Sequence, residues 1–237
     1  MTFLTAQWKN LIIANYIVNP EILQKYLPAG TELDLWKDNY YVSLVGFLFQ
    51  NTKVLGLSIP KHTDFEEVNL RFYVKRFENG QWKRGVVFIQ EIVPKSMITF
   101  VANTFYKENY KTLVMQHENQ LKAEIRNVSY SWENQKKKNH IQVNAYDFAT
   151  TIDEGSEAEF ITEHYFGYTK YNEKTTYEYE VKHPKWEQYV IKNFEVKIDF
   201  KNVYGTDFAF MNELNPSSVF LAKGSEISVE NKRKITL

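Results

Sequence analysis

The residues best suited to chemistry lie in one short row. Glu67, Asn69, Arg71, Tyr73 and Lys75 alternate with Val68, Leu70, Phe72 and Val74, and His62 and Asp64 stand just upstream. A period of two places a carboxylate, an amide, a guanidinium and a phenol on one face of a strand and the apolar set on the other. In a barrel, such a face can line an interior that holds a ligand. It can equally be an ordinary solvated ladder, because periodicity does not say which face is inside. A second group is the segment EFITEHYFGYTK, Glu159 to Lys170, where Tyr165, Phe166 and Tyr168 surround Gly167 and His164 stands beside them. Amphipathic aromatics at this density suit packing beneath a loop or the wall of a pocket.

Other chemistries lack their residues. The chain has no cysteine, which removes disulfides, thiol catalysis and cysteine metal sites together. None of the histidines His62, His117, His140, His164 and His183 has the paired spacing of a zinc protease helix. A glycine-rich phosphate loop and a Gly-x-Ser-x-Gly elbow are both missing. No cofactor and no metal is therefore expected. Lys+Arg and Asp+Glu both number 29, so the net charge is zero, and no overall field gathers nucleic acid or acidic lipid. The run Lys136-Lys137-Lys138 sits between two strand-like segments and reads as a solvated hairpin loop.

The elements that must position these residues are mostly strands. Aromatic residues make up 16% of the chain, a bias that favours pleated surfaces. After the Val68 strand, Asn79-Gly80 gives the strongest short hairpin signal, since both central residues of a type I′ turn need positive φ. The return strand is Gly85 to Val93. Tyr40 to Phe49 is the most apolar run; it is about half the ~20 residues of a membrane helix and reads as a strand buried on both faces. Further strands are expected at Leu121 to Trp132, Ile141 to Phe148, Thr176 to Lys182, Phe194 to Phe200 and Ser217 to Leu221. A first helix is signalled by Asn19 as cap, Pro20 at its first position and the stripe Ile22, Leu23, Tyr26 and Leu27. A second begins at Pro94, with Met97, Ile98, Val101, Ala102 and Phe105 on one side, and Tyr204 to Leu214 forms a third. Hairpin-linked antiparallel strands with a few short helices predict a mainly β (α+β) protein, a closed or nearly closed barrel or cone. No Pro/Gly/Ser-rich linker divides the chain, so residues 1–237 form a single domain. Met1 to Asn10 has no signal-peptide pattern, and a cytoplasmic location is expected.

Six motifs in order carry a resemblance. They are Tyr26-Leu27-Pro28-Ala29-Gly30, Tyr41-Val42-Ser43-Leu44-Val45, Glu67-Val68-Asn69-Leu70-Arg71, Glu91-Ile92-Val93-Pro94, EFITEHYFGYTK and His183-Pro184-x-Trp186. Across nearly the whole chain they resemble the YqjF-like domain-of-unknown-function family, which is similar in fold to the acetoacetate decarboxylase superfamily of β-rich cones around a buried pocket. That resemblance implies that the Glu67 row lines a cavity. Acetoacetate decarboxylases use a lysine of depressed pKa to form a Schiff base with a β-keto acid. Carried over residue by residue, the pocket glutamate falls on Glu67 and a basic residue ahead of the first helix on Lys9. The paired lysines fall on Tyr110 and Lys111, and a second acidic residue falls on Ser43. The Schiff-base position is thus a tyrosine.

The resemblance therefore implies an inherited pocket with altered contents. Glu67 and Lys111 are the candidate catalytic residues, and Lys9, Asn69, Arg71, Tyr110 and His164 the candidate ligand-binding ones. A nucleophile shifted by one residue to Lys111 would point to the opposite face of its strand. The leading expectation is a small-molecule binder for a small carboxylate or oxo acid. The alternatives are an enzyme using acid–base or Schiff-base chemistry on a small oxo acid, and a protein-interaction module with a vestigial pocket. A homo-oligomer is compatible with each; a nucleic-acid or membrane partner is not expected.

Overall fold

The computed structural model describes residues 1–237. Fifteen strands belong to one sheet. The first half of the chain supplies β1 (Thr2–Ile17), β2 (Glu32–Leu33), β3 (Tyr41–Val54), β4 (Phe65–Glu78), β5 (Gln81–Val93) and β6 (Tyr110–Thr112). The middle supplies β7 (Val114–Lys122), β8 (Ile125–Asn134) and β9 (Lys137–Thr151). The last part supplies β10 (Phe166–Asn172), β11 (Thr175–Lys182), β12 (Glu187–Lys197), β13 (Ser218–Ala222), β14 (Glu226–Glu230) and β15 (Arg233–Thr236).

The sheet is ring-like. Pairing runs β14-β11-β10-β5-β4-β3-β1, and β14 returns to β1. Two joints are thin: β10 meets β5 over Phe166↔Gly85 and Gly167↔Val86, and β11 meets β14 over Val181↔Val229 and Lys182↔Ser228. Strand β1 is long enough to serve two partners on one edge. Its first half pairs with β14 and its second, Leu11 to Asn15, with β13. From β13 the sheet continues outward through β12, β9, β8 and β7. No helix is long and apolar enough to cross a membrane.

This layout creates two cores on opposite faces of the same strands. One face of β4, Val68, Leu70, Phe72 and Val74, joins Val42, Leu44, Tyr130, Phe200 and Phe208 in the larger core. Residues facing the ring interior, including Val45, Phe47, Phe49, Phe65 and Trp186, form a second. Strand β3 is accordingly buried on both faces from Tyr41 to Phe49, as its apolar run predicts. The β4–β5 turn has Asn79 and Gly80 at φ 53° and 77°, the positive values that a type I′ turn requires. Lys136 lies in the β8–β9 hairpin turn with φ 64°, consistent with a solvated loop.

Several boundaries differ from expectation. Leu121 to Trp132 is two strands, because the chain reverses at Ala123 and Glu124 with φ 46° and 65°. The strand expected to reach Phe200 ends at Lys197, and Phe200 opens a short helix, α3 (Phe200–Tyr204). Gly205, at φ 99°, breaks α3 from the 3-10 turn Thr206–Glu213. The first helix is a 3-10 segment, Pro20–Tyr26, with Asn19 Oδ1 accepting from the Glu21 N–H at 3.0 Å. The helix after Pro94 starts two residues later as α1 (Ser96–Val101) and widens into a π turn, Ala102–Tyr106. Phe105 points to solvent and does not join Met97, Ile98, Val101 and Ala102 on the cavity side of that helix. Strands β1, β7, β10, β14 and β15 had no clear signature in the sequence.

Candidate functional site: a buried cavity with an unpartnered arginine

The ring encloses a cavity of about 290 Å³. Its wall is largely apolar and aromatic, with Phe47, Phe49, Phe65, Phe88, Trp8 and Trp186 among the lining side chains. Met97 and Ile59 line it yet are about half exposed, marking the side on which it opens. The polar row of β4 faces this space and not solvent. Glu67, Asn69 and Arg71 line the cavity and are 3%, 1% and 8% exposed; the solvated-ladder alternative is thereby set aside. Tyr73 continues the row but is tied to Ser43 Oγ at 2.6 Å. Ser43 also donates to Asn15 Oδ1 at 2.5 Å and does not reach the cavity.

A β-bulge decides which β5 residues join them. Leu70 pairs with Gln90 but Arg71 pairs with Phe88, so β5 carries one extra residue there. The bulge shifts the alternation and lets both Phe88 and Glu91 face the cavity. Strand β6 lies parallel to β5 with Tyr110 beside Glu91. The Asn103 side chain fixes it, donating to Tyr110 O at 2.9 Å and accepting from Tyr110 N at 2.7 Å.

Tyr110 and Lys111 then point opposite ways. The Tyr110 hydroxyl donates to Glu67 Oε2 at 3.1 Å, and Asn69 Nδ2 donates to Glu67 Oε1 at 3.0 Å. Lys111 Nζ instead donates to Asn134 Oδ1 at 3.0 Å and does not line the cavity. Neighbouring residues on a strand face opposite sides, so the structure separates Lys111 from Glu67. Lys9 is likewise outside the lining, and no lysine belongs to it.

Two glutamates not anticipated as site residues complete the polar wall. Glu91 and Glu108 both line the cavity beside Tyr179. Glu108 accepts from Thr169 Oγ1 at 2.6 Å. Burial raises the Glu67 pKa to about 7, against the hydrogen bonds from Asn69 and Tyr110. Burial also raises Glu108 to about 7 and pushes Glu91 well above the ordinary carboxylate range, with Glu108 and Glu67 adding to the Glu91 shift. Three neighbouring carboxyl groups in one cavity cannot all ionise freely.

The segment Glu159 to Lys170 forms a wall of the cavity. A short helix, α2 (Glu157–Thr162), leads into it, and Ile161, Thr162, His164, Phe166 and Gly167 face inward. Gly167 is required by close approach: a Cβ there would lie 2.2 Å from the Tyr179 ring. His164 Nε2 meets Asp34 Oδ2 at 3.2 Å, and Arg84 Nε donates to the same oxygen at 2.7 Å. Burial lowers the His164 pKa to about 4 despite the Asp34 contact, so the ring is neutral. With Nε2–H turned to Asp34, the buried Nδ1 has no partner.

Arg71 is the exception among the charges. It is the only buried lysine or arginine. It takes part in none of the ion pairs of the chain, and its buried Nε has no hydrogen-bond partner. The arrangement can hold an anion on Arg71 and exchange a proton at Glu67 near neutral pH.

Comparisons with known proteins fit this architecture. Residues 5–226 match the DUF2071 family, described as an uncharacterized conserved protein. The uncharacterized protein YqjF of Bacillus subtilis (strain 168) is 26% identical over 210 residues, covering 88% of this chain and 83% of YqjF. An acetoacetate decarboxylase-like enzyme from Sphingomonas wittichii RW1 superposes with a TM-score of 0.68 at 10% identity, covering 100% of this chain and 95% of that one. The enduracididine biosynthesis enzyme MppR, complexed with pyruvate, superposes with a TM-score of 0.66 at 13% identity, covering 99% and 91%. The chain belongs to the DUF2071 family and has an acetoacetate decarboxylase-like fold, with a mainly β, nearly closed sheet around its cavity.

Proposed function

We propose that this protein binds a small carboxylic acid with an apolar body, and that Arg71 is the carboxylate's partner. The observation that carries the reading is Arg71 itself. A buried guanidinium held in no direct ion pair or hydrogen bond costs several kcal/mol, a cost that a bound carboxylate offsets. The wall around it, built from Phe47, Phe49, Phe65 and Phe88, suits the apolar remainder of such a ligand. That MppR is described in complex with pyruvate supports an oxo acid as one form the ligand takes.

A second reading adds catalysis. Glu67 has a pKa of about 7 and a phenol at 3.1 Å, the properties of a group that gives and takes a proton near neutrality. Its chemistry would be proton transfer on the bound acid. A Schiff base inside the cavity finds no amine on this chain, since no lysine lines it.

The test is a thermal melt with pyruvate, acetoacetate and 3-phenylpropionate against the parent protein and Arg71→Gln. The acids should raise Tm in the parent and leave the variant unmoved, as binding to the native state alone requires. Equal shifts in both proteins would sink the assignment of Arg71.

A further inference from the structure

We infer that the rim around the cavity mouth docks on an anionic membrane surface, its exposed apolar side chains entering the lipid and its lysines meeting the phosphates. Two segments form this rim: residues 51–63, at the end of β3 and beyond, and residues 94–107, around α1 and the π turn. Ile59 of the first and Met97 of the second both line the opening. Phe3 joins the two segments. Its carbonyl accepts from the Leu55 N–H at 2.8 Å, and its ring lies 4.7 Å from that of Tyr106. Leu55, Leu57, Ile59, Met97, Phe100 and Phe105 are between 49% and 72% exposed. Large apolar side chains gathered around a mouth mark a contact surface. The turn at Leu55 adds a second observation. Leu55 and Gly56 stand at φ 50° and 80°, and the Leu57 N–H donates to the Val54 carbonyl at 3.0 Å. Asparagine or glycine suits the first of these positions and leucine does not. The turn keeps an apolar side chain at its tip against its backbone preference, which points to a use for that side chain.

Charge selects the occupant. The two segments contain Lys53, Lys61, Lys95 and Lys107 and no aspartate or glutamate. Lys232 joins them, 5.3 Å from the centre of the Tyr106 ring and donating to the Phe105 carbonyl. None of these five is among the lysines that pair with a carboxylate. The acids at the segment ends have other partners: Asp64 accepts from the Asn51 N–H at 2.8 Å, and Glu108 accepts from Thr169 in the cavity wall. A second copy of the chain, related by a two-fold axis, would set lysine against lysine. A bilayer with anionic headgroups meets both features, offering an apolar interior to the leucines and phenylalanines and phosphates to the lysines. The expectation of no membrane partner follows from a net charge of zero, a sum over the whole chain that hides this segregation. Docking through the rim places the cavity opening against the lipid. The inference stands apart from the Arg71 reading.

Co-sedimentation of the full chain with phosphatidylcholine vesicles, with and without about a third phosphatidylserine, tests this. Partition onto the anionic vesicles should be about tenfold or more stronger than onto the neutral ones, as several lysines near a charged surface contribute. Leu55→Asn suits the turn better, so its Tm should be no lower than the parent's. It should nonetheless weaken vesicle binding about tenfold, through the loss of one leucine from the lipid. Lys61→Glu combined with Lys107→Glu should abolish the preference for phosphatidylserine. A parent chain that ignores the anionic vesicles, or binds both kinds equally, would overturn the inference. So would Leu55→Asn binding with parent affinity. Sedimentation velocity covers the other occupant: a parent dimer that Leu55→Asn converts to a monomer, without vesicle binding, would give the rim to a second copy and overturn the inference as well.

Discussion

Two charge clusters sit toward opposite ends of the β4–β5 hairpin, and they are built to opposite rules. Near the turn, Arg76 and Glu78 on β4 and Lys83 on β5 meet Glu178 on β11 and Arg233 on β15. Arg76 and Lys83 each reach Glu78 at 2.6 Å, and Arg233 Nε reaches Glu178 at 2.5 Å. Every charge there has an opposite neighbour. At the other end, Arg71 makes no direct ion pair although Glu67 lies within its field, and Glu91 Oε2 and Asn69 Oδ1 are buried without partners. The first cluster ties strand β15 to the ring; the second leaves buried polar groups unmatched around an open space. Partnership, more than burial, separates structural charges from candidate functional ones.

Replacing Glu178 by alanine should do the most damage. It leaves three cations facing a weakened set of partners, and breaking such a cluster costs about 3 kcal/mol, discounted because Arg233 is half in solvent. Urea unfolding measures it, and a loss well under 1 kcal/mol would erase the contrast between the clusters. Arg71→Met should behave oppositely. Removing a buried cation that has no partner should leave stability unchanged or raise it by about 1 kcal/mol, while ligand-induced stabilisation disappears. A large destabilisation would mean that Arg71 is a structural charge like Arg76.

The contrast also has a pH signature. Glu67 and Glu108 are raised from 4.5 to about 7 by burial, so the folded protein binds more protons than the unfolded chain between those values. Stability is then full below the unfolded pKa and lost as pH rises through 7. His164, lowered to about 4, works in the other direction but only below about pH 6.5. Between pH 6.5 and 8 the ligand-free protein should lose about 1 kcal/mol for each glutamate. Glu67→Gln should about halve that slope, and an unchanged slope would show that Glu67 does not contribute to it. The smallest expected effect is none at all: sodium borohydride with acetoacetate or pyruvate should leave no lysine adduct in the cavity. A reduced adduct on Lys111, detected by peptide mass, would reverse the side-chain placement described above.

What could be read from the sequence follows from local chemistry. The Asn79-Gly80 turn, the alternation of β4 and the apolar run of β3 each declare themselves, and each forms where expected. The Ala123–Glu124 turn does not, because neither residue favours positive φ, so two strands read as one. Strand β1 hides because its mixed face serves β14 over one half and β13 over the other. The cavity row was visible, but its direction was not, since both faces of β4 are buried and only tertiary structure chooses between filled and open space. Glu91 became a cavity residue through the bulge at Leu70/Arg71, which nothing in the residue types announces. Glu108 arrives from outside any strand. Lys9 and Lys111 matched a pattern by position, and the fold directs both away from the cavity.

The central claim is that Arg71 holds a carboxylate inside the ring. The most direct measurement is a crystal structure with 3-(4-bromophenyl)propionate, whose bromine marks the ligand's orientation. The account predicts the carboxylate within hydrogen-bond reach of the Arg71 guanidinium, with the bromophenyl group among Phe47, Phe49 and Phe65. A ligand bound elsewhere, or an Arg71 paired with a protein carboxylate while the cavity stands empty, would contradict it.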